Sequence, residues 1–337
     1  MDSVISEVVE HDFIEISSNE DFSAQEYPGN GTLEDPYIIE NFQIQSYNSC
    51  ITIENTSYFF LIRYCILTVI RTDELLYSGV SLRNVTNAKI ENCTINGNGP
   101  SISIFESGDI EIKYTTLQSR NSGGIDLRYS CNCTFESNFV IDCDGTGLLV
   151  EYSSYLDVLD NIVGNNKEGI YLFNCSYGTL RNNMISSNSQ SGVVLDDSYY
   201  ILVNQNNIIG NSGDGLKVHS FYCHLIDNTI RENNGFGIDM ESTYDTVFGN
   251  LIGWNTGGNA RDRGNNNTWD DSVNKGNYWS DYIGFGSYEI LGSANSVDRY
   301  PQVFPGAVSV LTIVVVSITI IVTLVGIGIF YFRKVRT

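Results

Sequence analysis

Positive charge is scarce in this chain. Eighteen lysines and arginines stand against forty aspartates and glutamates, a formal net charge of −22. With Arg333, Lys334 and Arg336 set aside, residues 1–306 carry −25. So acidic a surface excludes nucleic acid and anionic lipid as partners, since both are polyanions. It suits cations, basic surfaces or a salty medium. Histidine and methionine number three each, which leaves few soft ligands for a transition metal. The start, Met1-Asp2-Ser3, lacks the basic residues and apolar run of a secretory leader. Eight cysteines are present, but they fall at different points of the pattern described below, so no disulfide framework is read from them. Cys65 and Cys93 come within a residue of equivalent positions and could meet; buried free thiols are the expected state. Cys131-Asn132-Cys133 has no second Cys or His pair nearby to complete a zinc site.

What the chain has is repetition, at a period of roughly 22–23 residues. Small residues recur at Gly79, Ser101, Gly124, Gly147, Gly169, Gly192, Gly215 and Gly237. Each opens a period-two segment such as Gly-Ile-Tyr-Leu at 169–172, which is a strand signal. A column rich in tyrosine follows: Asn132, Tyr155, Tyr177, Tyr200, Tyr222, Tyr244. Two asparagine columns run beside it, one through Asn138, Asn161, Asn183, Asn206, Asn228 and Asn250, the other through Asn166, Asn188, Asn211, Asn233 and Asn255. A unit this short cannot hold two helices, and its Gly, Asn, Thr, Ile, Val and Tyr favour strands and turns. Three short strands and three turns fill it. Stacked units then form a parallel β-helix in which like sits on like. The expected fold is all-β: a single-stranded right-handed parallel β-helix of about nine to ten coils, roughly 45 Å long. Asparagine and tyrosine columns read as scaffold.

The pattern over residues 28–301 resembles the right-handed β-helix repeats of pectate-lyase-like folds and of the NosD-like family. Pro28-Gly29-Asn30-Gly31-Thr32 and Asp35-Pro36-Tyr37-Ile38-Ile39-Glu40-Asn41 are similar to the opening segment of NosD-like surface proteins. Asn267-Thr268-Trp269-Asp270-Asp271, Gly276-Asn277-Tyr278-Trp279-Ser280-Asp281-Tyr282 and Asp298-Arg299-Tyr300-Pro301 are similar to their closing segment. Relatives commonly carry an acidic Asp/Gly-rich loop after the Tyr-Trp-Ser-Asp-Tyr motif. Here that stretch is the short Ile283–Tyr288. No cofactor is evident; calcium is the one candidate, and no motif supports it. The organisation reads as an N-terminal cap (1–40), repeats (41–260) with an insertion between Arg71 and Ser78, a C-terminal cap (261–301), a linker (302–306), a transmembrane helix (307–332) and a cytoplasmic tail (333–337).

The apolar run 307–332 is long enough to cross a bilayer, and the basic tail after it orients that end to the cytoplasm. The β-helix is then expected outside, with the missing leader attributed to a truncated or mis-started N-terminus. Sequons at Asn30, Asn55, Asn84, Asn92, Asn132, Asn174 and Asn266 agree with external placement and glycosylation. This arrangement, with the opening and closing motifs, resembles archaeal envelope proteins.

Three functions are weighed. The first is a surface protein binding a glycan or envelope polymer, or mediating adhesion. Its contacts would be outward positions of the first strand, Asp126, Tyr171, Phe173, His219, Asp239 and Glu241, with the aromatics able to stack on sugar. The second is a carbohydrate-active hydrolase or lyase on that face. Glu151 and Asp196 would stand two coils apart, about 9.6 Å, near the upper limit for an inverting carboxylate pair. The third is implied by the NosD-like resemblance: maturation of the copper site of nitrous oxide reductase. Only His219 and His224, flanking Cys223, cluster as donors, and the membrane tail differs from a soluble periplasmic factor. The fold is therefore carried over and the copper role is not. Oligomeric state has no sequence signal.

Overall fold

The computed structural model describes residues 8–70 and 75–305. They form a right-handed parallel β-helix of about eleven turns, built from three columns of short parallel strands. One column is a 13-stranded sheet that includes Thr116–Ser119, Met184–Ser186 and Asn207–Ile209. The first column contains Ile125–Arg128, Leu148–Glu151, Ile170–Phe173 and Val193–Tyr199, and the second Cys131–Glu136, Ser154–Leu159 and Thr179–Arg181. Neighbouring strands pair in register, for example Ile170 with Val193 and Leu172 with Leu195. Inward residues are Ile, Leu and Val, buried to within a few per cent. The filled cylinder is the hydrophobic core.

The turn count exceeds the nine to ten read from the sequence. Val9–His11 already pairs with Phe42–Ser46, Ile14–Ile16 with Ile51–Thr56, and Tyr37–Glu40 with Phe60–Arg63. These first rungs lack the asparagine and glycine marks that made later rungs visible. The open end is plugged by a short helix, Asn19–Ala24, whose Phe22 is buried and stacks on Tyr37 at 4.8 Å. Among the described residues no helix is long and apolar enough to cross a membrane; the expected span at 307–332 lies outside them, as do Arg71 to Glu74 of the insertion.

The turns explain the columns. Most rungs bend at several non-glycine residues in the left-handed region; Tyr152, Tyr155, Asp160 and Asn165, for instance, have φ between 51° and 57°. That geometry costs about 1–2 kcal/mol per residue, so it needs compensation. Just inside the turns the asparagines supply it. Asn183 lies between the second and third columns. Its Oδ1 accepts the backbone N–H of Asn161 at 2.9 Å and the Asn161 Nδ2 at 3.0 Å. Its own Nδ2 donates to the Val158 carbonyl at 2.8 Å and to Asn206 Oδ1 at 2.9 Å. The motif repeats at Asn138, Asn161, Asn206, Asn228 and Asn250, and a twin ladder runs from Asn166 to Asn255. Outside the turns the tyrosines stack, with centroids 5.1–5.4 Å apart from Tyr155 through Tyr244. The small-residue column has a different cause. A Cβ on Gly169 would lie 2.3 Å from the Gly192 carbonyl, so a side chain there collides with the rung below.

The ladder ends on acid. Asn277 continues it, and its N–H donates to Asp298 Oδ2 at 2.7 Å. The same oxygen takes the Trp279 indole N–H at 2.9 Å. Trp269 donates to Asp262 at 2.9 Å, and Arg299 pairs with the buried Asp270. Both tryptophans are buried. They plug the last rung and have no free face to offer a sugar.

One corner group is out of character. Asp245 occupies a buried corner, accepting the Cys223 N–H at 2.7 Å. Burial pushes its carboxyl up to about 6, with that N–H opposing only in part. The folded pKa lies above the unfolded one, so this group favours folding at low pH. That contribution is lost as pH rises from about 4 through 6. We expect Asp245→Asn to stabilise the chain at pH 7 by on the order of 2 kcal/mol and to be neutral at pH 4. Urea unfolding at both values checks this; an equal effect at both would rule out a buried proton as the cause.

Candidate functional site

The outer face of the first column is built by alternation. In Ile170–Phe173 the isoleucine and leucine point in, so Tyr171 and Phe173 point out. Register stacks their equivalents into two rows. One runs Asp126, Leu149, Tyr171, Val194, Lys217, Asp239, Arg261; the other runs Arg128, Glu151, Phe173, Asp196, His219. Glu241 and Arg263 come next along the second row.

Charged side chains on this face are held by one another. Arg128 forks onto Asp126 at 2.7 and 3.2 Å and reaches Glu151 at 3.1 Å. The Tyr171 hydroxyl donates to Asp196 at 3.0 Å. Burial and this carboxylate raise the phenol well above its ordinary value, so it stays a neutral donor. His219 lies 3.8 Å from Asp196 and 3.7 Å from Glu241, and its Nε2 is buried without a hydrogen-bond partner. Glu241 meets Arg263 at 3.3 Å. Asp239 is 4% exposed beneath Arg261, which grips it at 2.8 and 2.6 Å. Burial pushes Asp239 up, but Arg261 and Arg263 outweigh it and hold the carboxyl below the usual range.

The expected contacts thus share one face, but their roles divide. Asp126, Tyr171, Phe173, His219 and Glu241 line it, whereas Asp239 is spent on two arginines. Glu151 and Asp196 are two rungs apart, as spaced from the sequence, with Phe173 on the rung between them. Each is already engaged, Glu151 by Arg128 and Asp196 by Tyr171. Sequence reading missed Arg261 and Arg263. The cap expected at 261–301 takes them in, although Arg261-Asp262-Arg263 continues the period-two alternation of the column.

The copper candidates do not converge. His219 faces out of the first column and His224 is exposed on the second. Cys223 is buried, and its sulfur accepts the Ile201 N–H at 3.4 Å. Among the described residues no group of three or more His, Cys, Asp or Glu is placed to hold a metal ion. All seven sequon asparagines, Asn30, Asn55, Asn84, Asn92, Asn132, Asn174 and Asn266, are exposed.

A family model described as "Periplasmic copper-binding protein (NosD)" matches residues 33–214 and 147–284, most of the solenoid. The chain belongs to the NosD family. No curated protein matches its sequence. Among solved structures, a mutant of the periplasmic alginate epimerase AlgG shares 15% identity over 77% of each chain, with a TM-score of 0.52. The A-module of the Azotobacter vinelandii mannuronan C-5 epimerase AlgE6 shares 13% over 88% of this chain and 85% of that one, also at 0.52. At such identities the likeness shows the fold. Among the described residues, no donors are gathered to match the copper in the NosD family's description. Seven of the eight cysteines are buried in the solenoid, and the two described histidines nearest each other face different columns.

Proposed function

We propose that this NosD-family chain is displayed outside the cell, tethered by residues 307–332, and binds a linear glycan along the outer face of its first column. The observation that carries this reading is the pre-paired face itself. Two aromatic side chains, Tyr171 and Phe173, sit on one rung, and the rungs on both sides present polar groups already fixed by neighbours. Donors and acceptors held in place at strand spacing lose little freedom on binding a repeating polymer. The same pairing argues against the hydrolase reading, because neither Glu151 nor Asp196 is free to move a proton without breaking its contact.

Fold neighbours named for alginate and mannuronan support a polysaccharide partner in general. The charge balance points away from a uronan. A chain carrying −22 repels a polyanion, and Arg128, Arg261 and Arg263 are already paired with carboxylates of the same face. A neutral or amino-bearing glycan fits better. The test is a glycan array on the intact chain with and without calcium. Phe173→Ala and Tyr171→Ala are expected to weaken binding at least about tenfold each, the loss of one stacked or packed contact. Absence of binding in both conditions would leave a purely structural role.

A further inference from the structure

We propose that Cys65 and Cys93 are a disulfide site, closing as the chain folds in an oxidising compartment and riveting two adjacent rungs where the asparagine ladder is missing. The compartment follows from the external placement proposed above; the pairing itself rests on geometry alone.

The ladder position between the second and third columns is held by Asn138 and its successors. Toward the N-terminus the same position passes to Thr115, then Cys93, then Cys65. Thr115 N–H still donates to Asn138 at 3.0 Å. Cys93 N–H reaches Thr115 Oγ1 only at 3.4 Å. The amide seam therefore stops, and two thiols stand where it would continue. Register places them directly over each other. Phe60–Arg63 pairs with the second half of Val80–Glu91, Arg63 opposite Glu91, and each cysteine lies two residues further on, after a left-handed residue, Tyr64 or Asn92, both at φ 53°. The Thr94 N–H donates to the Cys65 carbonyl at 2.9 Å. Rungs about 4.8 Å apart fall inside the Cα separation of roughly 4.4–6.8 Å that a disulfide spans. Both side chains are buried, at 1% and 3% exposure, and the two thiols sit equivalently on their rungs, each 3.3 Å from the carbonyl two residues before it, Arg63 or Glu91.

No other pair of cysteines qualifies. Cys133 and Cys223 share a column but are four rungs apart. Cys50, Cys131, Cys143 and Cys175 each stand alone in theirs. A low-molecular-weight or protein disulfide first forms a mixed disulfide with one of the two cysteines, releasing one thiol. The thiolate of the other then attacks that cysteine's sulfur, and the S–S bond to the oxidant breaks. Two protein thiols are oxidised, the oxidant's disulfide is reduced to two thiols, and both protons leave on them. Because the folded sulfurs are buried, the exchange occurs before the rungs close.

The experiment unfolds the full chain in reductant, refolds it in a glutathione-type thiol/disulfide buffer, and alkylates it under denaturing conditions. Expected is a product with six of the eight cysteines alkylated and a peptide cross-link joining Cys65 to Cys93. Eight alkylated cysteines, or a link elsewhere, would overturn the proposal. Cys65→Ser carries the control: all seven remaining cysteines should be alkylated, and persistence of a protected pair would equally overturn it. The cross-link is read without any glycan, so its failure and the failure of the binding proposal remain separable.

Discussion

Asn183→Ala is expected to destabilise the solenoid by on the order of 3–6 kcal/mol. The side chain is buried, at 1% exposure, and makes four hydrogen bonds to its neighbours. Alanine strands the Asn161 N–H and the Val158 carbonyl, and each orphaned buried group costs about 1–3 kcal/mol; the side-chain bonds to Asn161 and Asn206 go as well. Asn182→Gly, one residue away, is the control. Asn182 is exposed in the left-handed region at φ 57°, a geometry glycine adopts freely, so little change is expected. A stacked-rung protein loses cooperativity locally, so amide hydrogen exchange is the measurement. Protection should fall first in rungs 158–206. A loss under about 1 kcal/mol would mean that the ladder is tolerated by the fold and does not hold it.

The second large effect is at the closed end. Trp279→Ala should cost about 3–5 kcal/mol, the usual range for emptying a buried aromatic site. Trp279 is fully buried, stacks on Tyr288 at 4.0 Å and donates to the Asp298 carboxylate that terminates the ladder. Burial already pushes Asp298 above the ordinary carboxyl range, so losing a donor leaves it less well satisfied. The cap should loosen before the body. Hydrogen exchange should then rise in Leu251–Gly253 and Gly258–Asp262 while the central rungs keep their protection. Bare strand edges also pair with one another, so size-exclusion chromatography should show concentration-dependent association. A monomer with intact protection of the last rungs would show that the cap does not guard the end.

The central rungs were legible because period and chemistry coincide there. Gly169, Tyr177 and Asn183 each recur at one spacing, and each has a local cause: a close approach, a left-handed turn, a buried amide seam. Recognition failed where the cause persists and the residue changes. Thr115, Cys93 and Cys65 occupy the asparagine position without resembling it, and the first rungs at Val9–His11 and Ile14–Ile16 carry no mark at all. At the other end the tryptophan and glycine motifs of the cap overlay the last repeat and hide Arg261 and Arg263. The outward face was placed correctly by alternation. Its pairing was not, since a sequence gives the order of side chains along a strand but not which oxygen an arginine on the next rung will take.

The sequence by itself determined the stacking, the in-register columns and the side of each strand that faces water, because all three follow from one-dimensional periodicity. The tertiary structure alone decided which charges cancel and that Asp239 is consumed by two arginines. Those depend on contacts between rungs, where separations of a few ångströms set the energy and the distance along the chain says nothing about them.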